Sequence, residues 1–256
     1  MNHRTVLSIA ALASAAGVAS AAVVDVRVTV ENLAPTNSVT FAPLRVGFNN
    51  GSYDSFDAGS TASAAIVSIA EGGSGADWFP AFAGADPTAV LGTVVPNPAG
   101  PLLPGQTGFA DFTVDTSVNQ YFTFGSMVVP SNDYFIGNDS PTQYMLFDAM
   151  GNLNLTSITQ YARDIWDAGS EVDGAFGAAF LQGSSNDDRI ADNGVVEFDF
   201  ADLSIFNGLT TAAGYVFDSQ LLADTAVYQI RFEIIPAPAG AAAFGLLGLA
   251  GVRRRR

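Results

Sequence analysis

Carboxylates are the chemically active groups that this sequence supplies in number. It holds 25 Asp and Glu against 10 Arg, with no Lys, no Cys and a single histidine, His3. His3 lies in an N-terminal stretch that reads as a cleaved export segment, so the working chain would carry no imidazole, thiol or lysine amine. That set excludes Ser-His and Cys-His nucleophile pairs, Schiff-base lysines and His/Cys zinc sites. Carboxylates, amides, hydroxyls and backbone carbonyls remain, and these hard oxygen donors suit Ca²⁺. Two stretches concentrate them, Pro130-Ser131-Asn132-Asp133-Tyr134-Phe135-Ile136-Gly137-Asn138-Asp139 and Asp164-Ile165-Trp166-Asp167-Ala168-Gly169-Ser170-Glu171-Val172-Asp173-Gly174. In the second, Asp167, Gly169, Glu171 and Asp173 alternate, which turns oxygens to one side of an extended turn. Neither stretch is an EF-hand. With Gly174 or Gly194 at the obligatory glycine, the first ligand position falls on Gly169 or Arg189. Spacing alone leaves both a metal site and ordinary acidic turns open, and Asp139 and Asp173 read better as turn-formers.

Such loops need a frame. Val24, Val26, Val28 and Val30 alternate with Asp25, Arg27, Thr29 and Glu31, the period of a half-buried strand. Residues 41–48 read as a second strand ended by Asn49-Asn50-Gly51. One helix is expected over about 61–71, with Ser60 or Thr61 as N-cap, Ala65, Ile66 and Ile69 on one face, and Gly72-Gly73 as the stop. Residues 73–106, rich in Gly and Pro, read as a long ordered loop. Further strand signals fall at 108–114, 121–129, 143–147, 178–181, 195–200 and 227–235. The pattern predicts an all-β fold, an antiparallel β-sandwich with one short helix, formed as a single domain over 22–235. Phe122, Phe124, Phe198 and Phe200 alternate within their strands and are expected in the core. Both acidic stretches follow strand-like segments, which would put them on loops at an end of the sandwich.

The two ends of the chain differ from this body. Residues 1–21 combine Arg4, an apolar run from Val6 to Val18 and Ala19-Ser20-Ala21, the layout of a secretory signal peptide. At the other end, 236–256, Pro236-Ala237-Pro238 precedes an apolar stretch from Ala239 to Val252 and four arginines. As a helix that stretch spans about 21 Å, short of the ~30 Å hydrocarbon core, which suits transient membrane contact. This Pro motif, short hydrophobic helix and Arg cluster resemble the PEP-CTERM sorting signal of Gram-negative bacteria that secrete exopolysaccharide, with Ala237 where that motif usually has Glu. The resemblance implies processing by an exosortase-type peptidase and a secreted destination, at the cell surface or in the extracellular matrix. Over 22–236, five arginines face all 25 acids, a formal charge of −20. An acidic body of that size repels nucleic acid and anionic lipid headgroups.

Pro130-Ser131-Asn132-Asp133 and Trp166-Asp167-Ala168-Gly169-Ser170-Glu171 resemble the two signature blocks of the spondin domain, a C2-like β-sandwich. Three further segments resemble other blocks of that family, in family order: Val28-Thr29-Val30-Glu31-Asn32-Leu33-Ala34-Pro35, Phe56-Asp57-Ala58-Gly59-Ser60-Thr61-Ala62-Ser63 running on to Ile69-Ala70-Glu71-Gly72-Gly73, and Leu103-Pro104-Gly105. Animal spondin domains bind Ca²⁺ through Asp residues of the signature blocks, which by resemblance makes Asp133, Asp167 and Glu171 the ligands, with Glu171 standing where the animal pattern has Asp. The resemblance implies an exported, non-catalytic module of cell-surface or matrix adhesion whose partner is an extracellular protein or polysaccharide. Two other classes compete with it. A carboxylate-dependent polysaccharide hydrolase would need an acid pair at glycosidase spacing. A purely structural surface protein would be indifferent to Ca²⁺.

Overall fold

The computed structural model describes residues 23–236. The strands are β1 (Val23–Asn32), β2 (Thr40–Phe41), β3 (Leu44–Asn49), β4 (Val90–Val94), β5 (Thr107–Asp115), β6 (Tyr121–Val129), β7 (Tyr134–Gly137), β8 (Ser157–Tyr161), β9 (Trp166–Asp167), β10 (Glu197–Phe198) and β11 (Ala226–Ile235). The helices are α1 (Ala64–Ala70) and α2 (Trp78–Ala85). In β1 the valines at 26, 28 and 30 are buried while Arg27, Thr29 and Glu31 keep partial exposure, the outcome that period-two alternation dictates for a strand with one face in a core. β1 lies between β5 and β11, and β8 completes a four-stranded antiparallel sheet in the order β5-β1-β11-β8. A second antiparallel sheet runs β10-β9-β7-β6-β3-β4, with β2 on the far part of β6. The fold is therefore an all-β antiparallel sandwich.

The main core fills the space between the sheets with Val26, Val28, Val46, Phe48, Phe122, Phe124, Tyr134, Ile230 and Phe232 among its members. Phe122 meets Phe232 edge-on across that space at 4.7 Å. A second core lies on the outer face of the larger sheet, where Ile66 and Ile69 of α1 and Trp78 and Phe82 of α2 cover Phe135 and Trp166. The sequence-based expectation for 73–106 as loop misses α2 and β4. In α2 the residues Trp78 and Phe82 stand four apart on one face, a helical pair obscured by Pro80 and by flanking glycines. Phe82 is admitted by Gly47 of β3: a Cβ there would lie 2.3 Å from the Phe82 ring.

Other expectations also shift. The helix begins three residues later than expected, capped by Ser63, whose Oγ accepts from the Ile66 N–H at 3.3 Å. The strand expected over 41–48 is split at Ala42-Pro43, where proline lacks the N–H a continuous ladder needs. Residues 143–147 and 178–181 make only isolated bridges, and 195–200 contributes just the two residues of β10. Phe122 and Phe124 are buried as expected, but Phe198 is 57% exposed, because β10 is the edge of its sheet and the ring is covered on one face only, by Trp166. The residues expected to form an export segment, 1–21, and, apart from Pro236, those expected to form a sorting segment, 236–256, lie outside the described residues. Among the described residues no helix is long and apolar enough to cross a membrane.

Candidate metal centre

β6 leaves the sheet at Val129, turns through 130–133 and returns as β7, so Asp133 stands at the mouth of a strand rather than in a free loop. Ser131 builds the turn: its Oγ accepts from the Tyr134 N–H at 3.2 Å and donates to the Val128 carbonyl. β9 pairs with β7 so that Asp167 lies opposite Tyr134, and the Ala168 N–H donates to the Asp133 carbonyl at 3.2 Å. The two acidic stretches are thus hydrogen-bonded neighbours at one rim of the larger sheet. Both carry short strands where loops were expected, since Tyr134–Gly137 and Trp166–Asp167 complete the sheet between β6 and β10.

Asp133 is fully buried. Its Oδ2 accepts two N–H groups of the second stretch, Ser170 at 2.6 Å and Glu171 at 2.9 Å, and the Ser170 hydroxyl lies 3.1 Å away. Its Oδ1 has no hydrogen-bond partner. Burial raises the Asp133 pKa above the ordinary carboxylate range, against the pull of the Glu171 and Ser170 N–H groups. Asp167 accepts the Gly169 N–H at 2.7 Å, and burial followed by the charge of Asp133 pushes its pKa to about 7. Gly169 adopts a left-handed φ of +62°, and a Cβ there would lie 2.6 Å from the Val195 nitrogen, so this turn depends on glycine.

Glu171 behaves differently from the two aspartates. Its Oε1 lies 3.2 Å from the Arg189 Nε, an ion pair without the aligned geometry of a hydrogen bond, and its Oε2 is buried without a partner. Arg189 also holds Glu71, by its carboxylate at 3.4 Å and its backbone carbonyl at 2.7 Å, and Glu71 accepts from the Ser170 hydroxyl at 2.8 Å. Burial and the neighbouring Glu71 carboxyl push Glu171 up to about 7 although Arg189 opposes it.

Asp173, first read as a turn-former, accepts instead from the Tyr134 hydroxyl at 2.9 Å, while its Oδ1 is buried and unpartnered. Burial pushes its pKa to about 6, with Asp133, Asp202 and Asp199 adding repulsion. Asp139 lies apart from this group in role, accepting the Ala58 N–H at 2.9 Å. Sequence reasoning missed Glu71, Arg189 and the Tyr134 hydroxyl. The signal available for Tyr134 was its place immediately after Asp133. Glu71 and Arg189 reach the site from distant parts of the chain, and no local pattern marks them.

The arrangement can be tested for fit to a cation. Asp133, Glu171 and Asp173 each present a buried carboxylate oxygen with no partner, an expensive state that a divalent ion would relieve. Asp133 raises the proton affinity of Asp167, and Arg189 is the cation paired with the group, committed to Glu171 and Glu71. In charge and donor chemistry the residues fit a hard cation. Among the described residues no group of three or more acids or histidines is gathered as a ready-made metal cluster. Ca²⁺ accepts 6–8 oxygens that include backbone carbonyls and water, so carboxylates need not supply its whole shell. Compared with known proteins, the chain matches no family model and no curated protein.

Proposed function

We propose that this protein is an exported, non-catalytic, spondin-like module that binds Ca²⁺ at the rim formed by the turns at 130–133 and 167–173, and that it serves adhesion at a bacterial surface or in its matrix. The observation that carries the reading is the Asp133 carboxylate, fully buried with one oxygen unpartnered, beside Asp167 with its raised pKa. Asp133 Oδ1 and the Asp167 carboxylate would hold the ion, and the buried, unpartnered Asp173 Oδ1 would be a third donor. Glu171, the remaining residue suggested by the family resemblance, would act through Oε2 while Arg189 keeps Oε1. The bound ion supplies positive charge that neutralises converging carboxylates and ties the two turns together. The resemblance of the two acidic stretches to spondin blocks supports the class, and the acidic body supports an oxygen-ligated cation over a nucleic acid.

A ligand that binds the folded state alone stabilises it by mass action, about 2.7 kcal/mol at a hundredfold excess over Kd, or ~5–11 °C in melting temperature for a chain of this size. Differential scanning calorimetry with Ca²⁺ and with a chelator should show that rise. Equal melting temperatures would leave a structural surface protein. Turnover of a glycan abolished by Asp167→Asn would instead establish the hydrolase.

A further inference from the structure

We propose that a cleft between the edges of the two sheets, floored by Trp166 and Phe198, binds one neutral pyranose ring of a glycan. This names a partner class for the exported module, yet it uses none of the calcium-binding residues and holds whether or not that reading does. The cleft measures about 200 Å³ and lies where β8 of the smaller sheet meets the β7-β9-β10 margin of the larger one. Pockets that enclose drug-sized ligands run to about 300–1,000 Å³, so this volume suits a single ring-sized group.

Phe198 is the feature that a structural role leaves unexplained. It is 57% exposed on an edge strand, yet it is not loose: its ring stacks on that of Trp166 at 3.6 Å and 24°, and Trp166 is only 5% exposed. Trp166 is in turn fixed by its indole N–H, which donates to the Gly137 carbonyl at 3.3 Å, and by an edge contact with Phe56 at 5.1 Å. The result is a flat aromatic face held rigid and turned to solvent, an arrangement that costs hydrophobic stability unless an apolar surface covers it. The C–H face of a pyranose is such a surface.

The walls match the rest of a sugar. Gln143 and Gln160 both donate their amide N–H to the Tyr144 hydroxyl, at 3.1 and 3.3 Å, which leaves their carbonyl oxygens as acceptors. Arg163 lies over the Tyr161 ring at 4.5 Å and has no carboxylate within ion-pair distance among the described residues; its Nη1 donates to the Ala223 carbonyl at 3.5 Å, and the rest of its guanidinium fork is open to vicinal hydroxyls. Asp164, which also lines the cleft, spends Oδ2 on the Tyr161 N–H at 2.8 Å and keeps Oδ1 as an acceptor. The lining thus offers both donors and acceptors, which hydroxyls that each give and take a hydrogen bond require. Asp164 and the net −20 of the body disfavour a carboxylated sugar.

The chain has two tryptophans, so its ¹⁵N-correlated spectrum holds two indole N–H resonances, and Trp78, buried at the start of α2, is an internal control. The probes are maltotriose, mannotriose and a β-1,4-linked galactotriose, each titrated in chelator and again in Ca²⁺, with glucuronic acid as the anionic comparator. At least one trisaccharide is expected to move the Trp166 resonance with a Kd in the millimolar range and to leave Trp78 in place. Phe198→Ala should weaken that binding about tenfold and Arg163→Gln about fivefold, with the Trp78 resonance unchanged to report an intact fold. No movement of Trp166 with any of the three, undiminished binding by Phe198→Ala, or glucuronic acid binding as tightly as the neutral sugars would overturn the assignment. Failure of calcium binding alone would leave the chelator arm unaffected.

Discussion

Asp148 accepts the Met150 N–H at 2.8 Å, and Asp167 accepts the Gly169 N–H at 2.7 Å, the same two-residue reach in two loops of one molecule. In the exposed loop, Asn152 donates to Asp148 through both its side chain and its backbone, and these bonds hold the carboxyl below its usual range. At the rim the same local turn ends with an acid pushed to about 7, because the site is buried and Asp133 faces it. Local turn geometry is therefore not what separates a solubilising acid from a candidate ligand. Burial and a second carboxylate separate them, and both are supplied by the pairing of β7 with β9.

The largest way to break this contrast is to delete the acid that ties the rim together. Asp133→Ala strands the Ser170 and Glu171 N–H groups and should cost about 3 kcal/mol, a fall of ~6–12 °C in melting temperature, whereas Asp148→Ala in its exposed turn should move the melting temperature far less. A comparable loss at both positions, measured by calorimetry in chelator, would show that the rim is an ordinary acidic turn.

A smaller effect comes from pH. Asp167 and Asp173 sit at about 7 and about 6 in the folded protein, against ~3.9 for an unfolded aspartate. Between those values the native state binds more protons than the unfolded one, so stability contributed by these groups is full at low pH and is lost as pH rises toward about 7. In chelator the protein should therefore melt at least ~2–4 °C higher at about pH 5 than at about pH 8, on the order of 1 kcal/mol. Asp167→Asn should flatten that slope, because the amide still accepts the Gly169 N–H but does not titrate. An identical slope in the variant would assign the pH effect to other groups.

The smallest sharpening is Asp148→Asn, which leaves its turn acceptor in place. It should change neither the pH slope nor the response to Ca²⁺.

Much of the frame was legible in the sequence because its signals are local. The valine alternation of β1 and the run at 121–129 correspond to strands of the sandwich, with β6 spanning Tyr121–Val129. Alternation failed where a pattern ran to the edge of a sheet: Phe198 has the spacing of a core residue, but no strand lies beyond β10 to bury it. α2 stayed hidden because its single buried face is carried by Trp78 and Phe82 amid Gly and Pro. At the rim, the sequence singled out Asp133 and Asp167, which the sheet brings to neighbouring positions, and it undervalued Asp173. The hydrogen bond from Tyr134 to Asp173 spans 39 residues, and Arg189 reaches Glu71 across 118, so neither contact leaves a trace in local spacing.

The most direct test is isothermal titration of Ca²⁺ into the protein near neutral pH, compared with Asp167→Asn. The account predicts saturable binding by the natural sequence and at least a tenfold weaker Kd for the variant, about 1.4 kcal/mol. No binding heat at millimolar Ca²⁺, or equal affinity in the two proteins, would contradict it.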